Sequence, residues 1–248
     1  VLAACGRDDT ATLSDQLDHL IRNKRLFDEK KEERIDLFRR MLHVTDLTPE
    51  QEYAINDSLS EVFYKYRLDS AIRYGERNLE IARRLGDRDR CASSAIRLAR
   101  FYSSRGACIE AKQLLDSVRR ELPRSFLEPY YQTYIFFYDC YEVFSGSSRP
   151  ANNRKIYRDS LRRHLGIPAN NSETREQTEQ WLLERLGQIP PGAPEYAKTT
   201  NSLGDHYRAH GDDWLAKKYY TLSAIADIQN ATKENSAILS LAKLYFDH

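Results

Sequence analysis

Small residues set against large ones at helical spacing constrain this chain more than any other feature of its sequence. Leu203-Gly204-x-x-Tyr207 places three residues on one helix face, because positions three and four apart are neighbours there. Gly211 breaks that helix, and Ala216-x-x-x-Tyr220 puts a small and a large residue on the facing side of a second. Small facing large lets two antiparallel helices approach closely. The offsets recur in Leu98-Ala99-x-x-Tyr102, Gly106, Ala111-x-x-x-Leu115 and Pro123. Leu241-Ala242-x-x-Tyr245 restarts the pattern 38 residues after Leu203, and Ala71, within Leu68-Asp69-Ser70-Ala71-Ile72-x-Tyr74, stands 40 residues before Ala111.

This pattern resembles the tetratricopeptide repeat, a helical hairpin of about 34 residues. It implies an all-α, tetratricopeptide-like right-handed solenoid of antiparallel helical hairpins. One repeat domain would span 13–248, its last repeat incomplete, after a signal-peptide remnant and polar tether at 1–12. Composition suits that reading. Hydrophobic residues make up 41%, enough for a continuous core, and charged residues 30%. The 38 basic and 37 acidic side chains nearly cancel, which argues against direct nucleic-acid binding by this region. Tyr is abundant, 16 copies against one Met, as expected where tyrosines fill gaps between helices.

Val1-Leu2-Ala3-Ala4-Cys5-Gly6 resembles the end of a bacterial lipoprotein signal peptide, in which small residues precede a cysteine that is lipidated. Cys5 is the candidate lipidation site. An ordinary secretory signal is the alternative, and either reading places the protein outside the cytoplasm. Further along, Leu13, Leu17, Leu20 and Ile21 form a helical stripe, and a second helix is expected over 28–42. Thr48-Pro49-Glu50-Gln51 reads as a helix start with a capping box. Helices are expected over 69–85, 91–105, 109–122, 126–144 and 155–165. The stretch 145–153 is the clearest loop, 170–172 a cap, and Pro190 to Pro194 a rigid break.

Three stretches resemble one family in particular. They are Phe27-x-x-Lys30-x-x-x-Arg34-Ile35-Asp36, Leu68-Asp69-Ser70-Ala71-Ile72-x-Tyr74 and, most specifically, Leu222-Ser223-Ala224-Ile225-Ala226-Asp227-Ile228-x-x-Ala231-Thr232-Lys233-Glu234-Asn235. The family is the exported N-terminal repeat region of membrane-bound tetratricopeptide-repeat regulators from Bacteroidetes. The resemblance implies a periplasmic, membrane-associated, non-catalytic sensor module of a transcriptional regulator. A repeat lipoprotein serving as adaptor in an envelope or polysaccharide-uptake complex is the competing expectation.

Motifs of chemistry are scarce. There is no Gly-rich phosphate loop, no Gly-x-Ser-x-Gly elbow and no Cys-x-x-Cys pair, so neither catalytic residues nor a cofactor are assigned. His206-x-x-x-His210 has zinc-like spacing, but Tyr207 stands where a general-base Glu would, and no third ligand is evident; no metal is assigned. Asp212-Asp213 is read as a helix cap, and the aromatic run from Tyr130 to Tyr141 as core packing ahead of a stacking platform. Cys91 and Cys108 begin antiparallel helices and would lie about 20 Å apart at about 1.5 Å per residue, beyond disulfide reach. Cys108 and Cys140 share a turn edge, where free thiols are expected ahead of a bridge.

A protein or peptide partner, or a polar small ligand, is expected in the groove lined by the first helix of each hairpin. The groove residues, counted from Leu98 and Leu203, are Ile96, Arg100, Ser103, Asn201, Asp205 and Arg208. The same register on Leu241 gives Lys243, and the aromatic helix adds Ile135, Asp139 and Glu142. Their mixed charge suits a polypeptide or polar ligand better than a nucleic acid; the alternative is a merely solvated face.

Overall fold

The computed structural model describes residues 2–146, 151–165 and 175–246. Among these the chain is all helical and strand-free: α1 (Leu2–Arg22), α2 (Lys24–Leu42), α3 (Pro49–Phe63), α4 (Leu68–Leu85), α5 (Arg88–Arg105), α6 (Cys108–Val118), α7 (Leu127–Ser145), α8 (Ala151–His164), α9 (Arg175–Gly187), α10 (Pro194–Ala209), α11 (Asp213–Gln229) and α12 (Ser236–Phe246), with 3-10 turns at Arg119–Glu121 and Arg124–Phe126. The fold is the tetratricopeptide-like hairpin stack that the recurring pattern implies. Two compact units divide it, Ile35–Asn171 and Val1–Arg34 with Ser172–His248, and the boundary falls inside α2.

Local chemistry starts and stops these helices as the sequence suggests. Thr48 Oγ1 accepts from the Gln51 backbone N–H, while the Gln51 side chain accepts from the Thr48 N–H, and Pro49 opens α3. Asp87 and Asp212 cap α5 and α11 by accepting from Arg90 N and Leu215 N. Gly86 and Gly106 end α4 and α5 with φ of +64° and +83°, where a side chain would be strained. Some boundaries differ from expectation. α2 begins at Lys24 rather than 28, and α5 at Arg88, because Asp87 supplies the cap. The second helix of that repeat stops at Val118 and tightens into a 3-10 turn before Pro123, which cannot continue it. The backbone of α1 is helical from Leu2, through the stretch expected to be a tether. The cap expected at 170–172 and part of the loop at 145–153 lie outside the described residues.

In the Ile35–Asn171 unit, α3 to α8 pack in sequence as antiparallel neighbours, α5 also touching α7. One core gathers Ile35, Leu59, Phe63, Ala71, Leu79, Leu98 and Phe101; a second gathers Ile96, Ala99, Ala111, Leu115, Tyr130, Tyr134 and Phe137. The aromatic run on α7 is therefore core on its Tyr130–Phe137 side, while Tyr141 is exposed. Asn56 on α3 is completely buried, and neither its Nδ2 nor its Oδ1 has a hydrogen-bond partner among the described residues. An amide desolvated without compensation costs about 1–3 kcal/mol. Asn56→Leu, nearly isosteric, is expected to raise stability by about 1 kcal/mol in urea unfolding. A loss instead would show that the amide has a partner in solution.

In the other unit the opening sequence motif becomes literal geometry. A Cβ built on Gly204 would lie 2.5 to 2.9 Å from ring carbons of Tyr220, so α10 and α11 meet through the bare glycine backbone. The Tyr220 hydroxyl donates to Asp205 Oδ1 at 2.7 Å and holds the ring there. α11 has α10, α1 and α12 around it, and Ser223 through Ile228 are all buried. Ser223 Oγ donates to Ala197 O at 2.8 Å, and Thr232 Oγ1 donates to Asp227 Oδ1 at 2.9 Å. Lys31 Nζ reaches the carbonyls of Asn230 and Ala231 at 2.9 and 3.1 Å, at the end of α11. Burial holds its ammonium down to about 8. The most specific family stretch is thus a helix enclosed on several sides and its terminus. Tyr245, expected to face inward in the last pattern, is instead exposed beneath Lys217, whose Nζ sits 4.4 Å from the ring centroid.

The tyrosines obey a rule of their own. In three places a tyrosine on one hairpin's first helix donates to a carboxylate on the helix before it. Tyr102 bonds Glu76 on α4, Tyr134 bonds Asp116 on α6 at 2.6 Å, and Tyr207 bonds Glu179 on α9 at 2.6 Å. Each fills an apolar gap with its ring and carries its hydroxyl out to an acceptor. Burial first, then the bonded carboxylate, pushes all three phenols up, Tyr102 to about 12, so they remain donors.

Candidate partner-binding face

The helices α3, α5 and α7 share a face on which charged and aromatic side chains interleave. On α5, Arg97 Nη1 lies 3.0 Å from Asp57 Oδ1 and 3.6 Å from Glu61 Oε1, both on α3. One turn on, the Arg100 guanidinium carbon sits 4.7 Å from the centroid of Phe136 on α7 and 5.9 Å from that of Tyr64, the residue just past α3. Its Nε donates to Tyr64 Oη at 3.3 Å, and that hydroxyl lies 3.4 Å from Ser104 Oγ. Farther along α7, Arg154 Nη1 from α8 reaches Asp139 at 2.7 Å and Glu142 at 3.1 Å. Cys140 lies among these groups; burial pushes its thiol up to about 11, Asp139 and Cys108 adding and Arg100 opposing. Cys91, Cys108 and Cys140 are free, half-buried thiols.

A family model described as the SusR N-terminal TPR domain matches residues 21–248. The chain belongs to that family. It is a family of Bacteroidetes regulators, and this domain is its tetratricopeptide-type repeat module. Among solved structures, the crystal structure of BtubC (BKLC) from P. vanneervenii is similar at 17% identity, over 91% of either chain, with a TM-score of 0.44. No curated protein matches the chain. No described helix is long and apolar enough to cross a membrane.

In this SusR-type TPR domain, three of the residues expected to form the groove, Arg100, Asp139 and Glu142, come together on the α3–α5–α7 face, and Ile135 is half-buried on α7. Ile96 and Ser103 are corrections. Ile96 is in the core with Tyr130 and Tyr134, and Ser103 is fully buried with its hydroxyl donating to Ala99 O at 2.7 Å. The reason is crowding: α5 has α4, α6 and α7 packed around it, which encloses the positions two before and five after Leu98. Asn201, Asp205 and Arg208 lie on α10 in the other unit. There Asn201 Nδ2 donates to Asp205 Oδ2 at 3.1 Å, and Asp205 is committed to Tyr220. Lys243 is exposed on α12.

Tyr64, Asp57, Glu61, Arg97, Phe136 and Arg154 were not anticipated from sequence. Half of them were within reach, because Leu59 is buried in α3 as Leu98 is in α5. Counting two before, two after and five after Leu59 gives Asp57, Glu61 and Tyr64. His206 and His210 have ring centroids 4.5 Å apart, but His206 is buried and its carbonyl accepts from His210 Nδ1 at 2.7 Å. Burial, then His210, lowers the His206 imidazolium. Among the described residues no group of three or more His, Cys, Asp or Glu is placed to hold a metal ion.

Proposed function

We propose that this TPR domain is the extracytoplasmic, non-catalytic sensor part of a membrane-associated transcriptional regulator. It holds a protein or peptide partner, or a polar ligand, on the α3–α5–α7 face. The observation that carries this reading is the family match across residues 21–248. The interleaved arginines, carboxylates and rings on that face supply graded polar contact with aromatic platforms, which is the chemistry of recognition rather than of bond-making. Location is tested with the full-length protein carrying Ser125→Cys at an exposed site. With Cys5 replaced by Ala in the same protein, the remaining native thiols at 91, 108 and 140 are half-buried with raised pKa, so a membrane-impermeant maleimide reports the new cysteine. Labelling in unlysed cells with a permeabilised outer membrane is the expected result. Labelling only after lysis contradicts it.

The lipoprotein-adaptor reading rests on Leu2-Ala3-Ala4-Cys5. Metabolic fatty-acid labelling of the full-length protein that is lost in Cys5→Ala favours it, and equal labelling of both proteins removes it.

A further inference from the structure

Among the described residues, ion pairing on the α3–α5–α7 face leaves Arg100 over. Asp57 and Glu61 are taken by Arg97, and Asp139 and Glu142 by Arg154. Arg100 has no carboxylate within ion-pair distance among the described residues, and its side chain's one hydrogen bond there runs from Nε to Tyr64 Oη. Arg100 is half-buried, its guanidinium carbon 4.7 Å from the centroid of the Phe136 ring and 5.9 Å from that of Tyr64. That leaves both Nη groups, the far end of the fork, without an acceptor among the described residues. The Phe136 ring and the Nε bond to Tyr64 hold such a plane while leaving its two Nη groups uncommitted, the arrangement suited to a planar two-oxygen acceptor.

We propose that Arg100 is a carboxylate-binding subsite: a ligand carboxylate accepts from both Nη groups while an apolar part of the ligand lies along Phe136. This rests on the reading of the face as the recognition surface. The surrounding charge selects among anions. The four carboxylates of the face outnumber its three arginines, and this negative excess repels a dianion more than a monoanion, so a carboxylate is favoured over inorganic phosphate. Phe136 would give a ligand with an apolar or sugar-ring surface beside its carboxylate an advantage over acetate.

The test is a titration of the full chain followed at the Arg100 Nε–Hε signal by NMR, assigned from its loss in Arg100→Gln. The probes are N-acetylglutamate amide, N-acetylalanine and glucuronate, each beside its neutral counterpart, N-acetylglutamine amide, N-acetylalanine amide and glucose. Saturable shifts about tenfold tighter for at least one acid than for its neutral counterpart, and absent from Arg100→Gln, are expected. Which acid binds best separates a side-chain, a chain-terminal and a sugar carboxylate. Arg100→Lys keeps the charge without the fork, and is expected to bind that acid several-fold more weakly than the native chain. Equal response to acid and neutral probes, tighter binding of inorganic phosphate, or undiminished binding by Arg100→Lys overturns the subsite. If partner capture nonetheless depends on Arg100, the recognition face stands and only the carboxylate assignment falls.

Discussion

Gly204→Ala lowers the stability of its unit by about 2 kcal/mol, although the same exchange in an exposed helix raises it. Helix propensity favours alanine by about 1 kcal/mol. Here the new methyl would enter the Tyr220 ring at 2.5 Å, and that ring is pinned by its hydroxyl bond to Asp205. Overpacking of this kind costs about 1–3 kcal/mol or more, so the clash outweighs the propensity. Both tryptophans, Trp181 and Trp214, lie on helices of this unit, so their fluorescence during urea unfolding reports the change. Adding Tyr220→Leu to Gly204→Ala should recover part of the loss. A midpoint equal to or above that of the native chain would mean that α10 and α11 separate easily, against the close approach described.

Tyr134→Ala is expected to cost the Ile35–Asn171 unit about 4 kcal/mol, the range for removing a buried aromatic side chain. Tyr134 is fully buried, stacks on Tyr157 at 3.9 Å, and meets Tyr130 and Phe137 edge-on. Tyr134→Phe keeps the ring and loses only the bond to Asp116, a cost of about 1 kcal/mol. This unit contains no tryptophan, so the readout is amide exchange in α6, α7 and α8. Similar losses in both variants would place the stabilisation in the hydroxyl; a Tyr134→Ala loss under 1 kcal/mol would remove the residue from the core.

What was legible in the sequence is what depends on spacing along one helix or across one hairpin. Gly204 opposite Tyr220, Thr48 with Gln51, and Asp212 as a cap are all local relations, and each stands in the structure as read. The groove was harder. Whether a position two before or five after the pattern leucine faces outward depends on how closely the next hairpin packs. Ile96 and Ser103 were lost to that packing, while Arg100 stays half-exposed beside Phe136 and Tyr64. Arg154 was beyond reach, since its pairing with Asp139 and Glu142 crosses from α8 to α7, where no fixed sequence spacing applies. The tyrosine–carboxylate rule was hidden for a related reason. Glu76, Asp116 and Glu179 stand 26, 18 and 28 residues before their tyrosines, so no single offset reveals them.

We propose that the α3–α5–α7 face holds the partner. Site-specific photo-crosslinking of the full-length protein in cells tests it most directly, with the photoreactive residue at Glu61 on that face and at exposed Arg84 on α4 as the control. Adducts from position 61 and none from 84 are predicted. Arg100→Glu, alone or with Arg208→Glu, should reduce the adduct about tenfold, while the melting temperature stays within about 2 °C of native. Adducts confined to position 84, or an undiminished yield from position 61 in Arg100→Glu, would contradict the account.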